Sequence, residues 1–414
     1  MTWRGTVGRW RTGRAVMTDG QRAEATAFAA AARLSLFYVA AFAVLGVYMP
    51  YWSLWLRGRG CSDRAIAWVL CGQIVARTVA GPLWAQHSDH SGQPRRVLRL
   101  LAWASLLAFL PFTLADSLPA LVGCSVVFGA FFPPIHAIAD NLTVAVASQH
   151  RFAYGRVRVF GSVAFLVVTV LMGVLLDRWH GAGTTDGGSG PIFGIVLGLL
   201  CATAFASAVL PPQQRERRGH GNAAIAALLS NGRFVLFLCA VGLLQGSHAA
   251  YYGYATLHWT QHGIDPGVAG VLWAEGVLAE IVLFASIGTR TRAWSSRTLL
   301  LLGAAGGMLR WAVIGCTTSL PLLAGVQWLH ALSFGCVHLG AVQFITKVVP
   351  GRYGATAQGL TAAATAGVFT ALGTLLSGWL HEAHGGAAFL AMAGMACCGG
   401  CAALMLGRDP EAAA

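Results

Sequence analysis

Residues 271–284 read VLWAEGVLAEIVLF. The stretch sits inside an apolar run, 267–289, that is long enough to cross a bilayer as a helix. It nevertheless carries two carboxylates, Glu275 and Glu280. Five residues apart on a helix, they diverge by ~140° and so do not share a face. An ionised acid near the middle of a membrane costs roughly 2.5–3.5 kcal/mol even on insertion scales. Each therefore needs a partner, a proton or water.

The rest of the chain supports the membrane setting. It has 414 residues, 56% hydrophobic and 10% charged, where a soluble chain would have about a quarter charged. Apolar runs recur at 33–56, 65–86, 97–115, 119–147, 154–176, 191–210, 233–256, 267–289, 298–317, 320–346, 354–379 and 386–406. Runs of ~20 residues exclude a transmembrane β-barrel, whose strands are shorter and alternate. The expected fold is an all-α polytopic membrane protein of twelve transmembrane helices.

The net charge of +13 is a topology signal. With the N-terminus inside, 22 of the 28 Lys and Arg fall on the inner side and 4 on the outer, with Arg77 and Arg310 within spans. This is the positive-inside pattern, with both termini cytoplasmic. It argues against nucleic acid as a partner. Residues 1–32 read as a basic, unstructured cytoplasmic extension without a cleavable leader, and Met17 is an alternative start to Met1. Residues 33–210 and 233–407 give two six-helix halves joined by a polar cytoplasmic loop, 211–232, with a tail at 408–414. Ten cysteines lie mostly in apolar runs, and neither a disulfide framework, a metal centre nor a cofactor motif is expected. Cys397, Cys398 and Cys401 read as small apolar residues.

Several stretches resemble a known family. WAQHSDHSGQPRR (84–96) resembles the inside-loop signature of the major facilitator superfamily, with Asp89, Gly92, Arg95 and Arg96 matching, and Ala85 and His90 departing from it. FYVAAFAVLGVYMPYWSLWLRGRG (37–60), YGRVRVFGSVAF (154–165), LLQGSHAAYYGY (243–254) and 309–339 look like the 3-phenylpropionate permeases, a branch close to the oligosaccharide:proton symporters. The resemblance implies a major facilitator fold and proton-coupled uptake of an aromatic carboxylate across a bacterial inner membrane. It places Glu280 at an acidic position typical of the family and Glu275 where a neutral residue is usual.

The residues define the candidates for chemistry. Glu280, mid-span, suits a proton carrier. Glu275, Asp140, His330 and His338 are further proton-coupling candidates. Arg310 stays charged and needs a partner, either a substrate carboxylate or Glu280. Gln327, His330, Phe334 and His338 fall on one stripe of span 10. Gln245, His248 and Tyr252, with Tyr251 beside them, form a polar-tipped aromatic stripe in span 7 that suits an aromatic ring, or else an ordinary helix seam. Gln73 and Arg77 lie one turn apart in span 2, as do His136 and Asp140 in span 4 after Pro133–Pro134, and an Arg77–Asp140 bridge is expected. Arg156 and Arg158 read as topology and headgroup contacts. Tyr48, Trp52 and Trp55 read as an interfacial belt, with Trp52 a candidate for the vestibule wall.

The expected partners are a small organic anion, protons and lipid, with the chain a monomer. The alternatives keep the fold and change the cargo: a sugar symporter, whose Trp platform with carboxylates Trp273 and Glu275 would allow, a nucleoside symporter, or a drug exporter. A membrane sensor would need extended soluble segments, and a membrane hydrolase would need clustered His and acids. Neither pattern is present in the sequence.

Overall fold

The computed structural model describes residues 19–181, 190–212, 223–287 and 294–407. Twelve helices are long and apolar enough to cross a membrane: α1 (Glu24–Gly58), α2 (Asp63–Ser91), α3 (Pro94–Thr113), α4 (Leu118–His150), α5 (Tyr154–Trp179), α6 (Gly190–Ala208), α7 (Gly232–Gln261), α8 (Pro266–Ser286), α9 (Ser296–Cys316), α10 (Leu320–Val348), α11 (Gly351–His384) and α12 (Ala387–Met405). Each coincides with one of the twelve apolar runs. The tail at 408–414, residues 213–222 of the central loop and residues 1–18 lie outside the described residues. Residues 19–32 are not an unstructured extension, because the first helix already begins at Asp19. The Ala-rich stretch AEATAFAAAARL (23–34) has high helix propensity and continues the span.

Local chemistry sets the helix ends. Ser62 caps α2, its hydroxyl accepting from the Ala65 N–H at 3.3 Å. Gly92 ends α2 in the left-handed region at φ 64°, with its N–H on the Ser88 carbonyl. The loop glycine thus makes the tight turn that its motif implies. Arg95 donates to the Ala208 carbonyl at 3.1 Å, and Arg99 to the Ser207 carbonyl at 3.3 Å, so both neutralise the open carbonyl end of α6. Arg96 is exposed.

Helices α1–α6 and α7–α12 form two halves that meet through α2 with α11, α5 with α8, and α1 with α7. The helices approach closely where side chains vanish. A Cβ on Gly173 of α5 would lie 2.5 Å from the Pro266 carbonyl, and one on Gly378 of α11 would lie 2.4 Å from the Ala67 Cβ of α2. Large apolar side chains such as Val79, Leu171, Leu372 and Trp379 are exposed on the perimeter, as lipid contact requires.

Four helices are irregular around the centre. α4 breaks into Leu118–Phe131 and Pro134–His150, since neither Pro133 nor Pro134 has an N–H to continue the ladder. α7 breaks after Gly246, where the Ser247 hydroxyl bonds back to the Leu244 carbonyl at 2.7 Å. α10 and α11 widen into π-turns at Ala331–Cys336 and Ala363–Phe369. Non-helical backbone at membrane depth is tolerated where it is buried or lines a cavity.

Tyr48, Trp52 and Trp55 do not form an interfacial belt. They are 5%, 1% and 5% exposed and stack in series, with ring centroids 5.0 and 4.4 Å apart. Phe109 and Phe112 of α3 lie against Trp52 at 5.2 and 5.1 Å. Their spacing puts them on the inner stripe of α1, and Trp52 reaches the cavity wall.

Candidate functional site

The irregular helix segments enclose a cavity between the halves. One lobe, about 290 Å³, is walled by Tyr48, Trp52, Gln73, Arg77, His136 and Tyr252, among others. A second, about 220 Å³, is walled by Arg158, Tyr251, Glu280, Arg310, His330 and Phe334, among others. A third, about 390 Å³, carries Gln245 and His338. Met49 and Tyr252 line all three, which makes them parts of one space. His338 and Ala366 on its wall are exposed, so the space is open to solvent.

Arg310 is the centre of the C-terminal half's wall. It is fully buried. Its Nη2 donates to Gln327 Oε1 at 2.7 Å and its Nη1 to His330 Nδ1 at 2.8 Å. The guanidinium lies over the Tyr251 and Trp311 rings at 4.3 and 4.6 Å, a cation–π seat on two faces. Tyr251 donates to Gln327 Oε1 at 3.2 Å. Among the described residues no carboxylate touches Arg310, and its Nε and the Gln327 Nε2 are buried without a hydrogen-bond partner there. Among the described residues, a whole positive charge is thus held by neutral acceptors and ring faces.

The contact with Arg310 fixes the state of His330. A nitrogen that accepts from a guanidinium carries no proton, so the ring is neutral with its proton on Nε2. That nitrogen faces Glu280 Oε2 at 3.6 Å. Arg310 and Glu280 are therefore linked through His330 and do not pair directly. His248, one layer behind, is oriented similarly. Its Nδ1 donates to the Gln245 carbonyl at 3.1 Å and its Nε2 accepts from the Ser333 hydroxyl at 3.3 Å. Its ring lies 5.7 Å from those of both Tyr252 and His330.

The expected Arg77–Asp140 bridge is not formed. Arg77 donates to the Ala366 carbonyl in the α11 π-turn at 2.6 Å, which joins the halves. Asp140 accepts from Tyr38 at 2.6 Å and Tyr154 at 2.9 Å, and pairs with Arg158 Nε at 3.5 Å. The kink at Pro133–Pro134 turns Asp140 toward α1 and α5 and away from α2. Arg158, assigned from sequence to headgroups, instead turns inward, stacks on Phe42 at 4.0 Å and shares the second lobe with Glu280. A basic residue four after Tyr154 was the only sequence signal for it. Gln73 accepts from Tyr48 at 3.1 Å.

Glu275 stands apart. Its Oε1 accepts from the exposed Trp328 Nε1 at 2.7 Å, in a groove formed by α5, α8 and α10 on the perimeter. Trp273 is buried against Tyr251, ring centroids 4.4 Å apart. The two do not form a shared platform.

With that geometry in place, the comparisons are specific. The chain matches the model of the MFS_1-like family over residues 31–391, and it belongs to that family of major facilitator transporters. It is 32% identical over 367 residues to the probable 3-phenylpropionic acid transporter of Escherichia coli strain K12, covering 87% of this chain and 93% of that one. It is 23% identical to the uncharacterized transporter YwbF of Bacillus subtilis strain 168, covering 86% of each. Among solved structures, the nucleoside transporter NupG superposes with a TM-score of 0.79 at 14% identity, over 91% of this chain and 98% of that one. The protein is a multi-pass membrane transporter of the major facilitator fold.

Proposed function

We propose that the protein imports a small aromatic carboxylate, such as 3-phenylpropionate, together with protons, across a bacterial inner membrane with both termini in the cytoplasm. The observation that carries this reading is Arg310, a buried cation with no carboxylate partner, seated on aromatic faces. A substrate carboxylate supplies the missing anion and takes the place of Gln327 or His330 as acceptor, in a bidentate contact. Met49, Tyr252 and the aromatic wall beyond them accept the ring.

Glu280 is the proton carrier in this scheme. When the substrate takes Arg310, His330 Nδ1 is released to accept a proton from the cavity, and the Nε2 proton then passes to the Glu280 carboxylate across the 3.6 Å gap, which leaves the imidazole neutral. Charge on the acid and charge on the substrate are thereby coupled through one imidazole. The relative from Escherichia coli supports the substrate class. The likeness to NupG supports the fold alone, and the sugar alternative loses the Trp273–Glu275 platform it would use.

Uptake of labelled 3-phenylpropionate into energised right-side-out vesicles, with and without a protonophore, tests the proposal in wild type and Glu280→Gln. The expected outcome is protonophore-sensitive uptake that the substitution abolishes while substrate exchange persists. Driven uptake at the wild-type rate in Glu280→Gln removes Glu280 as carrier. No uptake in wild type returns the substrate to sugars and nucleosides.

A further inference from the structure

The Arg-poor end of the helices is shut by a buried polar cluster that the cavity does not use. Asp63, at the start of α2, is 5% exposed. Its Oδ1 is paired with Arg57 of α1 and its Oδ2 accepts from His381 Nδ1 of α11 at 2.9 Å. Its backbone carbonyl accepts from the Tyr254 hydroxyl of α7 at 2.9 Å. On the rim, Arg64 and Glu382 form a second pair at 3.2 Å. Three bonds to Asp63 and the rim pair therefore close one junction, and two of those three bonds cross between the halves.

Histidines lead from this cluster to the surface. The His381 ring lies 5.5 Å from that of His258, and His258 lies 4.4 Å from His262, which is exposed. His381 Nε2 and His258 Nδ1 are both buried without a hydrogen-bond partner. Among the described residues, no three such groups form a metal-binding set.

We propose that Asp63–His381 is a latch strengthened by protonation from the Arg-poor side, through His262 and His258. Opening this end requires α2 to leave α11, which separates Asp63 from His381 and Tyr254. Arg57 belongs to the same half as Asp63 and travels with it, so its charge does not distinguish open from closed. A proton on His381 does, because it converts a hydrogen bond from a neutral imidazole to the Asp63 carboxylate into an ion pair between the halves. Acid on that side therefore holds the end closed, and loss of the proton favours opening. Protonated His258 opposes His381, but both sit in the same half and repel in either state. The neighbouring clasp has no histidine: Asp177 accepts from the Gly267 N–H at 2.9 Å, and Tyr51 donates to the Pro266 carbonyl at 3.3 Å.

Hydrogen exchange on the full chain in lipid nanodiscs, between pH 5.5 and 8 and corrected for intrinsic rates, tests the latch. Peptides covering 60–68 and 376–384 are expected to exchange about fivefold more slowly at the acid end, on the scale of one hydrogen bond to a carboxylate becoming an ion pair. His381→Gln and Asp63→Asn each abolish that difference. Peptides from α3, which packs mainly within its own half, serve as the reference. Equal corrected exchange at both pH values in wild type overturns the latch, as does a pH response that survives His381→Gln. Should His381→Gln unsettle α3 as well, the wild-type series and Asp63→Asn decide, and a response persisting in Asp63→Asn overturns it.

Discussion

Each half of the transporter sets an arginine on the cavity wall with a carboxylate close by, Arg158 with Asp140 and Arg310 with Glu280, and the two pairs are built in opposite ways. In the N-terminal half, Arg158 already faces a carboxylate: it and two tyrosine hydroxyls converge on one oxygen of Asp140. In the C-terminal half, Arg310 and Glu280 are held apart by a neutral imidazole, and part of the guanidinium has no partner. A cation already paired with an acid gains little from a new anion. A buried, incompletely paired cation gains a great deal, since the cost of its desolvation is already included in the folded state. The asymmetry assigns anion recognition to Arg310 and a positioning role to the Asp140 cluster.

The sharpest way to break this comparison is Arg310→Gln. Losing one side of a buried charged contact with substrate costs about 2–5 kcal/mol, or at least ~30-fold in affinity. Binding of 3-phenylpropionate to purified protein is expected to fall by that factor, and Arg310→Lys is expected to recover only part of it, because an ammonium lacks the planar fork. Arg158→Gln in the same assay is the control. An equal loss there would erase the distinction between the halves.

Asp140→Asn comes next in size. It keeps an acceptor for Tyr38 and Tyr154 and removes the charge facing Arg158, so a loss of about 1–3 kcal/mol is expected. It should appear mainly as a lowered thermal midpoint, with substrate affinity changed by less than about tenfold. The reverse pattern, a stable protein that no longer binds, would move anion recognition toward Arg158. Tyr251→Phe removes one neutral hydrogen bond to Gln327 and keeps the ring under Arg310, at about 0.5–1.5 kcal/mol, so affinity should fall about two- to tenfold.

These contrasts also mark what the sequence could disclose. Helix number and the membrane setting follow from apolar length alone, and every span was legible. Arg310, Glu280 and His330 were visible because a charge inside an apolar run stands out. Their order was not, since it depends on the broken turn at Trp328–His330 and the π-turn after it, which rotate His330 between Arg310 and Glu280. The kink at Pro133–Pro134 hid the partner of Asp140 in the same way: the proline pair announces a bend but not its direction. Tyr48, Trp52 and Trp55 were misplaced because composition does not separate an aromatic belt from an aromatic core. The Asp63–His381 junction joins residues 318 apart in the chain, and no local pattern marks it.

Glu275 gives the smallest expected effect and the strictest test of the geometry. It lies five residues from Glu280, yet it points to the perimeter, where its bond is to the Trp328 indole. Glu275→Gln keeps an acceptor for that indole and removes a charge that lipid disfavours. Driven uptake and substrate affinity are expected to stay within about twofold of wild type, with the thermal midpoint unchanged or raised. A loss of uptake comparable to that of Glu280→Gln would mean that both faces of α8 meet the transport path. The two acids would then have to exchange positions during the cycle, and the divergence of ~140° between them would describe one state of the helix rather than a fixed division of labour.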